Sequence, residues 1–271
     1  MRISVIIPAA GSSTRYNQNT DSAAGILGLS RSKLDEDLGG KSVIQRTIEL
    51  FNTREEVDQI IVAGPCDNQA FETFKAQHGD RLALLGAKLV RGGTERFESV
   101  KAAMESVDPS CTHVAIHDAA RPATKPELID RVFDAAKSHN AVIPGIPVSH
   151  TLKRVGPDPI EAAGDVDQIA AILGDQDSSP IYKVTNTVDR TSTMMIQTPQ
   201  IFERNLLFEA YTQTDLSSTD DAGLVEKLGQ QVVVVEGDPT NLKLTRSNDL
   251  PLLRAIMGVK KSAERPTHKR F

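Results

Sequence analysis

"IIPAAGSSTRY", residues 6–16, begins as an apolar strand, breaks into six small residues and then reaches an arginine. A plain turn needs one or two such residues, so a longer run points to something anionic lying against the backbone. A backbone cleared of bulky side chains can turn its N–H groups onto phosphate oxygens. Gly11 allows close approach, and Arg15 can clamp a phosphate through paired donors. The chain has neither G-x-x-x-x-G-K-[ST] nor G-x-G-x-x-G, so a P-loop and a dinucleotide fingerprint are not supported.

Outward from this loop, β-branched runs alternate with helical patterns. Residues 3–8, 59–64, 87–93, 113–120, 141–148 and 231–238 read as strands. Residues 42–52, 68–79, 96–107 and 125–139 carry apolar side chains at helical spacing. Such alternation predicts an α/β fold, a mostly parallel sheet with helices on both faces. Ligands of such sheets bind outside the carboxyl ends of the strands. "PAAGSS", "GGTERF" and "HDAARP" all fall there, each just after a predicted strand.

Composition narrows the function. The chain has 271 residues, 39% hydrophobic and 4% aromatic, with a formal net charge of −5. That balance argues against a general nucleic-acid or membrane-surface binder, so any phosphate site must be local. Cys66 and Cys111 lie in no metal-ligand pattern and read as packed thiols. With no signal peptide or spanning run in the pattern, the expected location is cytoplasmic.

Several residues carry candidate chemistry. Lys33, after a small-residue polar loop read as mobile over 17–31, can bring a point charge to the phosphates held by Arg15. Asp118 ends an apolar strand, where an unpaired carboxylate is costly. Mg²⁺ relieves that cost, since it takes one or two protein carboxylates and completes its shell with phosphate and water. Arg121 can pair with Asp118 or with a substrate phosphate. Asp238, after the four-valine strand, is a candidate second metal carboxylate, and Lys243 a cation near the reacting phosphate. "STDDAG" (218–223) reads first as a helix cap; a contact from Thr219 to a substrate phosphate is the functional alternative. No Ser/His or Cys/His arrangement offers a side-chain nucleophile.

In order along the chain, "PAAGSSTR", "SKLDEDLGGKSVI", "GGTERFESV", "HDAARP", "VSHTLKRV", "TVDRTSTMMIQTPQIF", "STDDAG" and "NLKLT" resemble the 2-C-methyl-D-erythritol 4-phosphate cytidylyltransferase family over about residues 3–255. The resemblance implies a Rossmann-like, glycosyltransferase-A-like nucleotidyltransferase domain over 1–259. Residues 148–191 would form an arm crossing to the partner of a homodimer, and 260–271 a flexible tail. It also implies CMP transfer from CTP to the polyol phosphate, with Mg²⁺. Ala9, Ala10, Gly11, Ser12, Gly93, Thr94 and Ser99 would then hold CTP. Arg15 and Lys33 would stabilise the triphosphate, and Asp118 would place the metal with Asp238 nearby. Thr151, Arg190, Thr219, Lys243, Asp118 and Arg121 would bind the second substrate, Arg190 acting across the dimer. Three departures stand out: a longer loop between Arg15 and Lys33, Thr94 where Asp is common, and a longer arm between Thr151 and Arg190. The competing readings are a cytidylyltransferase for another polyol phosphate, such as ribitol 5-phosphate, and a non-catalytic nucleotide-binding protein.

Overall fold

β1 (Ile3–Pro8) is buried on both faces, as its apolar run, interrupted only by Ser4, requires of a central parallel strand. In the computed structural model, Ile3, Val5 and Ile7 enter one core and Ile6 the other. The period of two in a strand sends alternate side chains to opposite sides of the sheet. The structure describes residues 1–11, 14–17, 32–160 and 180–260, with only the backbone of Thr14 and Arg15. The expectations for Ser12, for most of the 17–31 loop and for the 260–271 tail beyond Lys260 therefore lie outside the described residues.

β1 pairs in parallel with β2 (Val57–Gly64) and with β4 (His113–Ile116), and β2 pairs in parallel with β3 (Ala87–Arg91). β5 (Ala141–Pro147) pairs in parallel with β10 (Val233–Glu236). Between these two groups lies β9 (Gln200–Glu203), antiparallel to both β4 and β5. The sheet order is therefore β10-β5-β9-β4-β1-β2-β3. The sheet is mixed and mostly parallel, with six strands where the sequence pattern suggested them. β9 was not expected: four residues are too few to show a period.

Helices cover both faces. α2 (Val43–Glu49), α3 (Asn68–Leu84), α5 (Pro126–Ala135) and α8 (Asp249–Ile256) pack into one core. α4 (Arg96–Met104), α6 (Arg204–Ala210) and α7 (Ala222–Lys227) pack into the other. α5 shows the logic best. Leu128, Ile129, Val132 and Phe133 are buried while Glu127, Asp130, Arg131 and Asp134 are exposed, one apolar stripe at helical spacing. Pro126 occupies the first turn, where its missing N–H costs nothing. A short helix, α1 (Thr14–Asn17), follows the opening loop.

The chain divides into two units, Met1–Ile146 with Ile196–Phe271, and Pro147–Met195. The second unit contains the antiparallel pair β6 (Leu152–Ile160) and β7 (Ile181–Val188). Residues 161–179, part of the long arm between Thr151 and Arg190, lie outside the described residues. β8 (Met194–Ile196) leads back to the main sheet. Among the described residues no helix is long and apolar enough to cross a membrane.

Candidate active site

The three loops singled out in the sequence leave the same sheet edge, and the ladder holds their first residues. Ala9 N donates to Ala63 O (2.7 Å), Gly92 N to Gly64 O (2.9 Å) and His117 N to Ile6 O (2.9 Å). The loops therefore start from a rigid edge. They line a cleft of about 170 Å³ with Ala9, Ala10, Gly11, Thr94, Ser99 and Asp118 on its walls. Lys33, Arg96 and Lys243 bring positive charge to it.

The Gly92-Gly93-Thr94 loop is shaped by contacts within the chain. A Cβ on Gly93 would stand 2.2 Å from Glu98 Cβ, and one on Gly92 2.5 Å from Gly64 O, so only glycine fits at either position. Ser99, buried on α4, accepts a hydrogen bond from Gly93 N (3.1 Å) and donates toward Glu95 O (3.1 Å). Thr94 Oγ1 donates to Glu98 Oε2 (2.8 Å), which also accepts from Glu95 N (3.0 Å) in a capping box. Thr94 is thus tied to its own helix. At Gly11 a Cβ would meet nothing within 4 Å among the described residues.

Lys33 opens a 3-10 turn, Lys33–Asp35, capped by Ser32. Leu34 is buried beneath it, and Asp35 Oδ1 lies 2.7 Å from His78 Nε2 on α3. The turn is anchored, and Lys33 lines the cleft. Arg15 lies in α1; its side chain is outside the described residues.

Asp118 is the charge centre of the cleft. Its Oδ2 lies 2.9 Å from Lys243 Nζ and 3.1 Å from Arg121 Nε, and its Oδ1 lies 3.8 Å from Arg96 Nε. Burial alone would raise its pKa. Lys243, Arg121 and Arg96 outweigh that effect and hold it well below the usual carboxylate range. The segment carrying Lys243 is fastened to the loop carrying Asp118: Leu244 N donates to Ala120 O (2.8 Å) and Arg121 Nη1 to Asn241 O (2.7 Å). Buried Asn241 accepts from Thr124 Oγ1 (2.8 Å) and donates to Thr198 O (2.9 Å). Thr198 Oγ1 accepts from Asp118 N (3.0 Å). His117, fully buried beside it, is pushed down to about 4 by burial, against the pull of Asp118.

One expectation changes. Asp238 does not line this cleft. Its Oδ2 pairs with Lys125 Nζ (2.9 Å), and its Oδ1 accepts from Thr240 N and Oγ1, both at 2.7 Å. It serves as a turn carboxylate, and among the described residues no three His, Cys, Asp or Glu side chains are grouped to hold a metal. Arg121 makes the pairing with Asp118 that the sequence allowed, and also donates to Asn241 O; these two contacts use two of its five N–H donors and leave its contact with a substrate phosphate open. Thr219 is exposed, just before α7. Thr151 and Arg190 belong to the Pro147–Met195 unit, where Arg190 Nη1 donates to Ser149 O.

The sequence reading passed over Arg96, the first residue of α4. Its Nη2 lies 2.7 Å from Oδ2 of Asp221, which is 1% exposed. The other oxygen of Asp221 accepts from Tyr211 O–H at 2.5 Å. Burial opposes the Arg96 charge, but Asp221 and Asp118 more than offset it, and its pKa is raised. Burial, reinforced by Asp221, pushes the Tyr211 phenol up, so it remains a donor. A basic residue directly after "GGTE" was the available signal, masked by the ordinary frequency of arginine in a helix's first turn.

A family model described as 2-C-methyl-D-erythritol 4-phosphate cytidylyltransferase matches residues 3–178 and 175–259. The enzyme of that name from Frankia casuarinae is 35% identical over 259 residues, covering 94% of this chain and 81% of its own. The one from Clostridioides difficile is 31% identical over 271 residues, with 99% of both chains covered. The crystal structure of the Thermus thermophilus enzyme superposes with a TM-score of 0.66 at 29% identity, covering 96% of this chain and 100% of that one.

Proposed function

The chain belongs to the 2-C-methyl-D-erythritol 4-phosphate cytidylyltransferase family, and from that premise we infer that its cleft transfers CMP from CTP to 2-C-methyl-D-erythritol 4-phosphate. A phosphate oxygen of the polyol phosphate forms a bond to the α-phosphorus of CTP. The bond from that phosphorus to the bridging oxygen breaks, and pyrophosphate leaves with the electron pair. Two anions meet in this step, so the protein's task is to position them and neutralise charge. The observation that carries the reading is the cluster around Asp118. Lys243, Arg121 and Arg96 surround it in a cleft walled by the strand-end loops and by Lys33.

In this reading the Ala9–Gly11 backbone and the Gly93–Ser99 loop hold the nucleotide. Gly11, with no Cβ, lets phosphate approach the chain. Lys33, Arg15 and Lys243 balance the charge that gathers on the phosphates. Ser12 belongs to the same loop. Mg²⁺ fits the donor set only at Asp118, whose Oδ1 has no cation closer than Arg96 at 3.8 Å among the described residues. A single carboxylate with phosphate and water suits that ion, which would supply further charge neutralisation. Asp238, held by Lys125, is not part of this set.

Thr151, Arg190 and Thr219 are assigned to the polyol phosphate, Thr151 and Arg190 from a partner subunit. The β6–β7 pair supports a homodimer. Val155, Ile160, Ile181 and Val184 are each at least 46% exposed there, apolar surface that an isolated hairpin does not cover. A cytoplasmic homodimer is the form proposed.

The test offers purified protein and Mg²⁺ each pairing of CTP or ATP with 2-C-methyl-D-erythritol 4-phosphate or ribitol 5-phosphate, and measures pyrophosphate. CTP with the methylerythritol phosphate should be the productive pair. Comparable turnover with ribitol 5-phosphate would move the assignment to another polyol, and no release with any pair would leave a binding protein.

A further inference from the structure

Arg96 is placed in a way that ordinary helix chemistry does not explain. A basic side chain in the first turn of a helix faces the positive end of the helix dipole. Here the arginine is also more than two-thirds shielded from solvent, with 31% of its side chain exposed. The exposed part lies in the cleft wall between Glu95 and Ser99. Its partner, Asp221, comes from the start of α7, and Tyr211 from the end of α6. An almost fully buried carboxylate is costly unless paired, so this arrangement needs a compensating purpose.

The geometry describes an aimed guanidinium. One nitrogen lies 2.7 Å from Asp221 and another 3.8 Å from Asp118. The Asp221 contact is an ion pair without hydrogen-bond alignment, and Tyr211 holds the opposite oxygen of the same carboxylate. A guanidinium has five N–H donors in a rigid fork, so these two contacts leave donors over. Arg96, Arg121 and Lys243 carry three positive charges against the two carboxylates Asp118 and Asp221. Among the described residues of this cluster, one positive charge is left over, at the mouth of a cleft built for phosphates.

We propose that Arg96 is a further phosphate-contacting residue of this cleft, and that the buried Asp221 and Tyr211 are positioning residues that aim its guanidinium. The ligand is a phosphate group, of the nucleotide or of the polyol phosphate. The inference rests on the reading of the cleft given above. It predicts a division of labour: Arg96 touches ligand, while Asp221 and Tyr211 act only through Arg96.

The experiment measures binding of CTP and of 2-C-methyl-D-erythritol 4-phosphate by titration calorimetry, together with kcat and KM, for Arg96→Gln, Arg96→Lys, Asp221→Asn and Tyr211→Phe. Arg96→Gln should weaken one ligand by about 10- to 100-fold, the scale of a hydrogen bond to a charged group; the ligand affected identifies which phosphate is held. Arg96→Lys should restore part of the loss. Tyr211→Phe removes only a hydroxyl and should weaken the same ligand several-fold with the fold intact by circular dichroism. In the Arg96→Gln background, Asp221→Asn and Tyr211→Phe should add nothing. Unchanged affinity for both ligands in Arg96→Gln would reduce Arg96 to a structural bridge. Full additivity of Asp221→Asn or Tyr211→Phe with Arg96→Gln would overturn the positioning role. Lys243→Ala, run alongside, separates the two levels: if it too leaves binding and turnover unchanged, the cleft assignment fails rather than the role of Arg96.

Discussion

β1 and the β6–β7 pair are both strands of this chain, and they are stabilised by opposite means. Ile3, Val5, Ile6 and Ile7 of β1 are wholly buried, with parallel neighbours on both edges and helices over both faces. In β7, seven of eight residues are exposed, and among the described residues the only strand hydrogen-bonded to it is β6. The first can hold loops still enough to shape a cleft. The second has cross-strand pairs alone, and an isolated two-stranded hairpin is marginal in water. Rigidity in this protein is a matter of what covers a strand, since both carry β-branched residues.

Truncation in the covered core should show the largest effect. Phe133, 2% exposed on α5, packs against the sheet; Phe133→Ala should cost about 3–5 kcal/mol, read from urea unfolding. A loss under about 1 kcal/mol would mean that the core relaxes around the cavity and that the contrast with the hairpin is overstated.

Next comes the chemistry that the rigid edge supports. Lys243→Ala should lower kcat by about 10²–10³-fold, the scale of one preorganised donor, while the melting temperature changes little. An equal fall in stability and rate would recast Lys243 as a structural partner of Asp118.

The buried edge should also carry a pH signature. His117 is fully buried with its pKa lowered to about 4, from an ordinary value of 6.5, chiefly by burial. Because the folded value lies below the unfolded one, its contribution is present above pH 6.5 and is lost as pH falls toward 4. The total is about 3 kcal/mol. His117→Asn should flatten the stability profile across that window; an unchanged slope would assign the acid sensitivity to other groups.

Arg190 tests the exposed unit. Arg190→Ala should reduce kcat/KM for the polyol phosphate by about 10-fold or more, the value of a charge-assisted contact. Mixing it with Lys243→Ala under subunit exchange should recover activity, since a mixed dimer then holds one intact site. No recovery would place Arg190 in the site of its own chain. The smallest effect is expected at Val184, 52% exposed on β7. Val184→Ala should shift unfolding by less than about 0.5 kcal/mol at concentrations where the protein is monomeric. A larger concentration-dependent loss would identify Val184 as part of a subunit contact.

Much of the cleft was legible in the sequence because its signals are local. "PAAGSS", "GGTERF" and "HDAARP" each follow an apolar run directly, and strand polarity then sends all three to one edge. Asp118 was read this way, Lys33 and Lys243 from their own loops, and Thr94 and Ser99 came with the family resemblance; all five line one cleft. Asp238 misled because a carboxylate after a strand looks the same whether it faces a ligand or caps its own turn. Lys125, 113 positions earlier, decides that question.

The sequence by itself determined the alternation of strand and helix, the strand-end loops, and the family motifs that name the chemistry. These follow from side-chain period and from backbone freedom at small residues, both properties of a short window. Only the tertiary structure decided the antiparallel entry of β9 between β4 and β5, and the meeting of Arg96 with Asp221 and Tyr211. The reason is physical. A buried charge is tolerated only where its partner arrives, and here the partner comes from an element 125 residues away, brought by the packing of α4, α6 and α7 in one core.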